Sequence, residues 1–175
     1  MNLKGKNMSQ THSFKPIFDK NSKILILGSF PSVISRKFGF YYTNPQNRFW
    51  RVLAGILNIA VPECIDEKIK FLLSHHIAIY DAAISCEIEG SSDAKMGKIV
   101  PVNLKPLFKE ANITQVYANG GKAYEICKKY LEDEIIKATK NEVIKLPSTS
   151  PANAKFSLER LMCEWQVVAD TLRDS

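Results

Sequence analysis

Four short strand-like runs, each closed by a turn residue and set among stretches of helical period, limit what this chain can fold into. The runs are Lys23–Leu27, Ile77–Tyr80, Gln115–Ala118 and Glu142–Leu146, and they end at Gly28, Asp81, Asn119 and Pro147. Each is too short for a helix and is closed by residues that favour turns. Helical period is read over Asn47–Asn58, Asp66–Ser74, Leu104–Ala111, Lys122–Leu131 and Ser157–Arg173. Strands that alternate with helices pair in parallel through right-handed crossovers. The expected fold is α/β: a three-layer αβα domain around a central four-stranded, mostly parallel sheet. All strands then point their C-terminal ends at one edge, where open α/β sheets bind ligands.

Caps and faces refine this pattern. Asp66 reads as the N-cap of its helix, Asn103 as that of the next, and Pro106 suits a first turn. Ala123, Ile126 and Tyr130 fall on one side of the fourth helix. Residues 1–13 are polar and aperiodic, and a flexible N-terminus is expected there. Residues 14–175 read as a single domain, with enough chain for a sizeable core.

Composition removes several classes of function. Cys64, Cys86, Cys127 and Cys163 are widely spaced and His12, His75 and His76 form no ligand pattern. The cysteines read as reduced thiols, and the three histidines make a metal site unexpected. No apolar segment reaches the roughly 18 residues of a membrane span. The N-terminal stretch is too polar for a secretory signal, and a cytoplasmic protein is expected. The net charge of +6 admits a polyanionic partner and equally admits a plain basic protein. No obligate protein partner is evident. The absence of GxGxxG and of a P-loop lysine argues against a nucleotide binder of Rossmann type.

The stretch that carries most chemistry is Gly28–Trp50, GSFPSVISRKFGFYYTNPQNRFW. Its connection from Gly28 to Pro45 is long, and loops of that length are usually functional when they are ordered. It joins small residues at a strand end (Gly28, Ser29, Pro31, Ser32), aromatics (Phe38, Phe40, Tyr41, Tyr42) and amides (Asn44, Gln46, Asn47). Stacking surface, amides and close backbone approach suit a pocket for a flat heterocycle.

Taken in order, ILGSFPS, YYTNPQNRFW, YDAAISCEIEGSSDAKM, NGGKAY and LPSTSPA resemble the uracil-DNA glycosylase superfamily, in particular its hypoxanthine-DNA (deoxyinosine) glycosylase branch. The resemblance runs from Phe14 onward. It implies excision of a deaminated base from double-stranded DNA without metal or cofactor. The fast uracil enzymes carry an acidic residue in the first loop and a histidine in the fourth. Here those loops read Gly-Ser-Phe-Pro-Ser and Pro-Ser-Thr-Ser-Pro, as in the deoxyinosine branch.

Such an enzyme extrudes its nucleotide from the duplex. By position in the resemblance, Tyr42 is the stacking aromatic, with Tyr41 or Phe40 the alternatives. Asn47 is the branch's catalytic asparagine; its amide can accept from a water and position it at C1′, or it can simply cap the helix that follows. Backbone amides of Ser29 and Phe30 would donate to a base carbonyl, and Ser29 could also hold water. Asp81 would accept from the ring N–H of a deaminated base, or cap its own loop. Ser85 and, more weakly, Glu87 share that loop. Ser148, Thr149 and Ser150 resemble a phosphate-contacting loop, with Ala152 and Asn153 near the wedge. Lys122, at a helix start, could reach a phosphate or be an ordinary surface lysine. A binding domain that keeps the pocket without catalysis is the competing reading, because both strong acid–base residues are missing.

Overall fold

The structure is a computed structural model that describes residues 8–11, 14–88 and 96–175. Its centre is a four-stranded sheet of β2 (Ile24–Gly28), β3 (Ile77–Asp81), β6 (Gln115–Asn119) and β7 (Ile144–Leu146). The order is β3-β2-β6-β7, and every neighbouring pair is parallel. The expected architecture is therefore present, and its strand boundaries lie within two residues of those read from sequence.

Residues of β2 alternate between two cores. Ile24 and Ile26 pack with Phe49, Trp50 and Val52 of α2 (Phe49–Leu57), with Leu72 of α3 (Ile65–Ser74) and with Trp165 of α7 (Leu158–Arg173). Leu25 and Leu27 pack on the other side with Leu107 of α4 (Lys105–Glu110), Ala123 and Ile126 of α5 (Gly121–Ile126) and Ile135 of α6 (Glu132–Thr139). A strand buried on both faces is apolar at every position, which is why this run carries no polar alternation. Asp66 is not the N-cap of α3. That place is taken by Cys64, and Asp66 sits in the first turn, where a carboxylate suits the helix dipole.

Three elements depart from the sequence reading. The Gly28–Pro45 connection contains a short helix, α1 (Val33–Phe38). Ser32 caps it by accepting from the Ser35 backbone N–H, and Gly39 ends it at φ 72°. Ala83–Ile88 and Met96–Pro101 are strands β4 and β5, and Met8–Thr11 adds β1, in an antiparallel sheet of order β1-β4-β5. The polar loop expected over Cys86–Met96 is thus strand at both ends, and its residues 89–95 lie outside the described residues. The helix expected to stop at Leu131 continues. A π-helical turn at Cys127–Leu131 joins α5 to α6.

That π turn resets the helical register. Cys127 and Leu131 face the core, whereas Tyr130, read on the same side as the buried Ala123 and Ile126, is 41% exposed. A wider turn displaces every later side chain by one position relative to an unbroken α-helix. Burial raises the Cys127 thiol to about 12, so it stays protonated as a small apolar group. The register has a direct check in urea unfolding. Leu131→Ala is expected to cost about 2–5 kcal/mol, and Tyr130→Ala to stay within about 0.5 kcal/mol. The reverse order would restore the unbroken helix.

Candidate functional site

All four strand ends of the parallel sheet open on one cavity of about 530 Å³. Gly28, Ser29 and Phe30 line it after β2, Asp81 after β3, Asn119 after β6, and Ser148–Ala152 after β7. Tyr42 and Asn47 close it from the aromatic connection. The convergence follows from parallel pairing, since register fixes Gly28 beside Asp81. After β3 the chain turns beneath β2: the Ala82 N–H donates to the Gly28 carbonyl at 2.7 Å, and Ala83 to that of Ser29 at 3.0 Å.

Gly28 is required by what lies over it. A Cβ at this position would stand 2.4 Å from Asp81 Oδ1 and 3.0 Å from Tyr42 Oη. The missing side chain is the space in which carboxylate and phenol approach the strand end. Asp81 is buried, 3% exposed. Burial first, and then the charge of Asp81, raises the hydroxyls of Tyr41 and Tyr80 above the usual phenol range, so both stay protonated.

Phe40 and Tyr41 are buried: Phe40 stacks on Trp50, and Tyr41, which also lines the cavity, meets Phe14 edge-on and donates its hydroxyl to the Lys15 carbonyl. Tyr42 is the more exposed, half-buried ring at the cavity. Phe49 backs it at 3.9 Å between centroids and 15° between planes. Its carbonyl accepts from Trp50 Nε1 at 3.2 Å, and its backbone has φ 52°. Phe30 is buried in the opposite core, with the Arg36 guanidinium 5.4 Å over its ring.

Asn47 sits in a chain of hydrogen bonds. Its Oδ1 accepts from the Phe49 backbone N–H at 3.0 Å and from Thr149 Oγ1 at 2.9 Å. Asn119 Nδ2 donates to Thr149 Oγ1 at 3.0 Å and to Tyr42 Oη at 3.3 Å, and Asn119 Oδ1 accepts from the Thr149 N–H at 3.1 Å. The N-cap of α2 is Arg48, so Asn47 does not hold the N-cap position; its oxygen closes a turn on Phe49, two residues on. The oxygen expected to accept from a water already accepts from two protein donors.

Thr149, read from sequence as a phosphate contact, is fully buried, and its hydroxyl is spent inside this chain. Ser148 and Ser150 on either side of it are half-buried and line both the cavity and a neighbouring groove of about 620 Å³. Lys122 and Asn153 lie on that groove. Lys122 pairs with Glu125 at 3.6 Å, an exposed contact of little energetic weight. The Asn153 amide holds the Ser148 carbonyl at 3.0 Å. Ser85 does not reach the cavity: it lies in β4, registered between Thr11 and Val100. The side chain of Glu87 lies outside the described residues.

Arg48, Asn119 and Lys145 escaped the sequence reading. Lys145 lines the groove beside Lys122. Asn119 was read only as the turn after a strand. Arg48 fastens the fourth loop. Its guanidinium donates to the carbonyls of Ser150 at 2.9 Å, Asn153 at 3.0 Å and Phe156, while its own N–H donates to the Thr149 carbonyl at 3.0 Å. Trp165 Nε1 holds the Pro147 carbonyl at 2.9 Å.

The uracil DNA glycosylase superfamily model matches residues 15–171. The chain belongs to that superfamily. With that it is a DNA glycosylase, a hydrolase of N-glycosidic bonds. A protein of Methanosarcina acetivorans named hypoxanthine DNA glycosylase is 33% identical over 158 residues, covering 89% of this chain and 95% of the relative. A namesake from Methanosarcina barkeri is 31% identical over 155 residues, covering 87% and 93%. The solution NMR structure of a candidate uracil DNA glycosylase from M. acetivorans superposes with a TM-score of 0.78 at 31% identity, covering 95% of this chain and 99% of that one.

The Arg48 clamp yields a prediction for the superfamily's fourth loop in this chain. Lysine keeps the charge and lacks the planar fork. Arg48→Lys is expected to lose about 1–3 kcal/mol and to speed amide exchange across residues 148–156, read by hydrogen exchange with mass spectrometry. Unchanged exchange there would remove the clamp.

Proposed function

We propose that this glycosylase is monofunctional and removes deaminated bases from double-stranded DNA, hypoxanthine first and uracil more weakly. The observation that carries the reading is the cavity at the strand ends, where a backed aromatic ring, a buried carboxylate and an oriented amide converge beside a loop of hydroxyls. The Methanosarcina relatives, by their names, support hypoxanthine.

In this reading the extruded base stacks on Tyr42. Hypoxanthine presents a ring N–H beside a carbonyl, and the Asp81 carboxylate, an acceptor only, suits the N–H. Adenine offers a bare ring nitrogen there, which a carboxylate repels. Ser29 and Phe30 at the strand end would meet the base carbonyl. In the reaction the C1′–N bond breaks with its electron pair going to the base, water oxygen bonds to C1′, and the base leaves carrying a proton. Nothing covalent forms with the protein. Ser148 and Ser150, with Lys122 and Lys145 along the groove, would carry the phosphates. A cytoplasmic, DNA-associated location goes with this reading. No helix among the described residues is long and apolar enough to cross a membrane. A pocket-retaining binding domain is the second reading. It is favoured by the absence of histidine and carboxylate from the first and fourth loops.

A base-excision panel tests the proposal. Duplexes that differ only in the lesion are incubated with excess protein and treated with alkali. Inosine strands are expected to nick fastest, uracil strands more slowly and adenine strands not at all. Binding without any alkali-sensitive product would leave the second reading standing. In the same panel Asp81→Asn, whose amide can also donate, is expected to narrow the gap between hypoxanthine and adenine. An unchanged ratio in a less stable protein would reduce Asp81 to a loop cap.

Salt dependence tests the groove. Affinity for duplex is expected to fall steeply between about 50 and 200 mM salt. Lys145→Gln should flatten the slope of log K against log salt by about 1. A slope left at its original value would exclude Lys145 from the phosphate track.

A further inference from the structure

Two backbone donors fix the hydrogen-bond polarity around Asn47. A backbone N–H only donates, so the Asn47 atom facing Phe49 N must be the amide oxygen. By the same argument the Asn119 atom facing Thr149 N is its oxygen, and Asn119 Nδ2 is the donor to Thr149 Oγ1. The Thr149 hydroxyl then accepts from Asn119, and its own proton goes to Asn47 Oδ1 at 2.9 Å. Both lone-pair directions of Asn47 Oδ1 are taken. Nδ2 is left as the polar group that Asn47 brings to the cavity it lines.

We propose that Thr149 is a positioning residue: its buried hydroxyl holds the Asn47 amide with the NH₂ toward the cavity, so that Asn47 acts there as a hydrogen-bond donor. This rests on the glycosylase reading above. Negative charge grows on the base as the C1′–N bond breaks, and a fixed N–H aimed at a purine ring nitrogen or carbonyl stabilises it. No proton passes to or from Asn47. An amide so oriented cannot draw a proton from water, which separates this role from water activation. Burial excludes Thr149 from DNA contact, because no phosphate reaches a hydroxyl with no exposed surface. Its influence on the reaction runs through Asn47.

The test measures single-turnover excision from an inosine duplex, duplex affinity and thermal stability together. Thr149→Val keeps the shape and removes the hydroxyl. It is expected to slow excision by about 10- to 100-fold, with affinity within about twofold and a folded protein. Thr149→Ser is expected to restore most of the rate. In an Asn47→Ala background Thr149→Val should add no further loss, as it must when one residue acts through the other. Asn47→Asp keeps the oxygen facing Phe49 and Thr149 and turns the cavity-facing donor into an acceptor, so it should fold and excise poorly. Wild-type rates for Thr149→Val, additive losses in the double variant, or full activity of Asn47→Asp would each overturn the proposal. If Thr149→Val does not fold, Thr149→Ala against Thr149→Ser carries the same comparison. A readout free of activity separates this failure from that of the function itself. The side-chain amide resonances of Asn47, identified by their absence in Asn47→Ala, should shift in Thr149→Val and return in Thr149→Ser. Unmoved resonances remove the bond even if inosine is cleaved, and moved ones keep it even if inosine is not.

Discussion

Everything at the site depends on β2 being covered on both faces. A strand with no exposed residue from Ile24 to Leu27 needs a helical layer on each side and parallel neighbours on each edge. Once those neighbours are in place, three strand ends lie side by side at one edge. Gly28, Asp81 and Asn119 become adjacent through pairing alone, although the sequence separates them widely. The cavity is thus a by-product of sheet topology, and the loops need only furnish it.

The furnishing is held together by the residues next to Asn47. Asn47 and Arg48 stand side by side at the start of α2, one tied to Thr149 through its side chain and the other to the carbonyls of the same loop. The amide at the cavity and the hydroxyl loop beside it therefore share a single anchor. Gly120, at φ 100°, lets the turn after β6 close against Ser148, where a Cβ would come within 3.0 Å of the serine Cβ. The junction combines these polar ties with the buried Phe49, Leu146 and Trp165 beneath them.

The parallel sheet was legible because its doubly buried strand β2 is a continuous apolar run, and because Gly28, Asp81, Asn119 and Pro147 mark where the strands stop. The antiparallel sheet was not. Met8–Thr11 is polar, Met96–Pro101 contains glycine and proline, and their strand character arises from pairing with Ala83–Ile88 rather than from their own composition. Helix α1 had a local signal, Ser32 and Gly39 at its two ends, which the surrounding aromatics obscured. At the site, Tyr42, Asn47 and Asp81 could be named from one stretch and one strand end. Thr149 was named for the wrong task, because burial of one hydroxyl in a Ser-Thr-Ser run depends on what packs over it. Arg48 was missed because its partners are carbonyls about a hundred positions away, and backbone acceptors leave no mark in a sequence.

Tyr42 holds a left-handed backbone, φ 52°, that a bulky residue adopts at a cost of about 1–3 kcal/mol. Glycine would adopt it freely and would delete the ring. The ring offsets that cost through its stacking on Phe49 and the bond its hydroxyl accepts from Asn119, neither of which glycine could make. The bent backbone here is thus held by the side chain's own contacts, and a substitution that freed the backbone would also loosen one wall of the cavity.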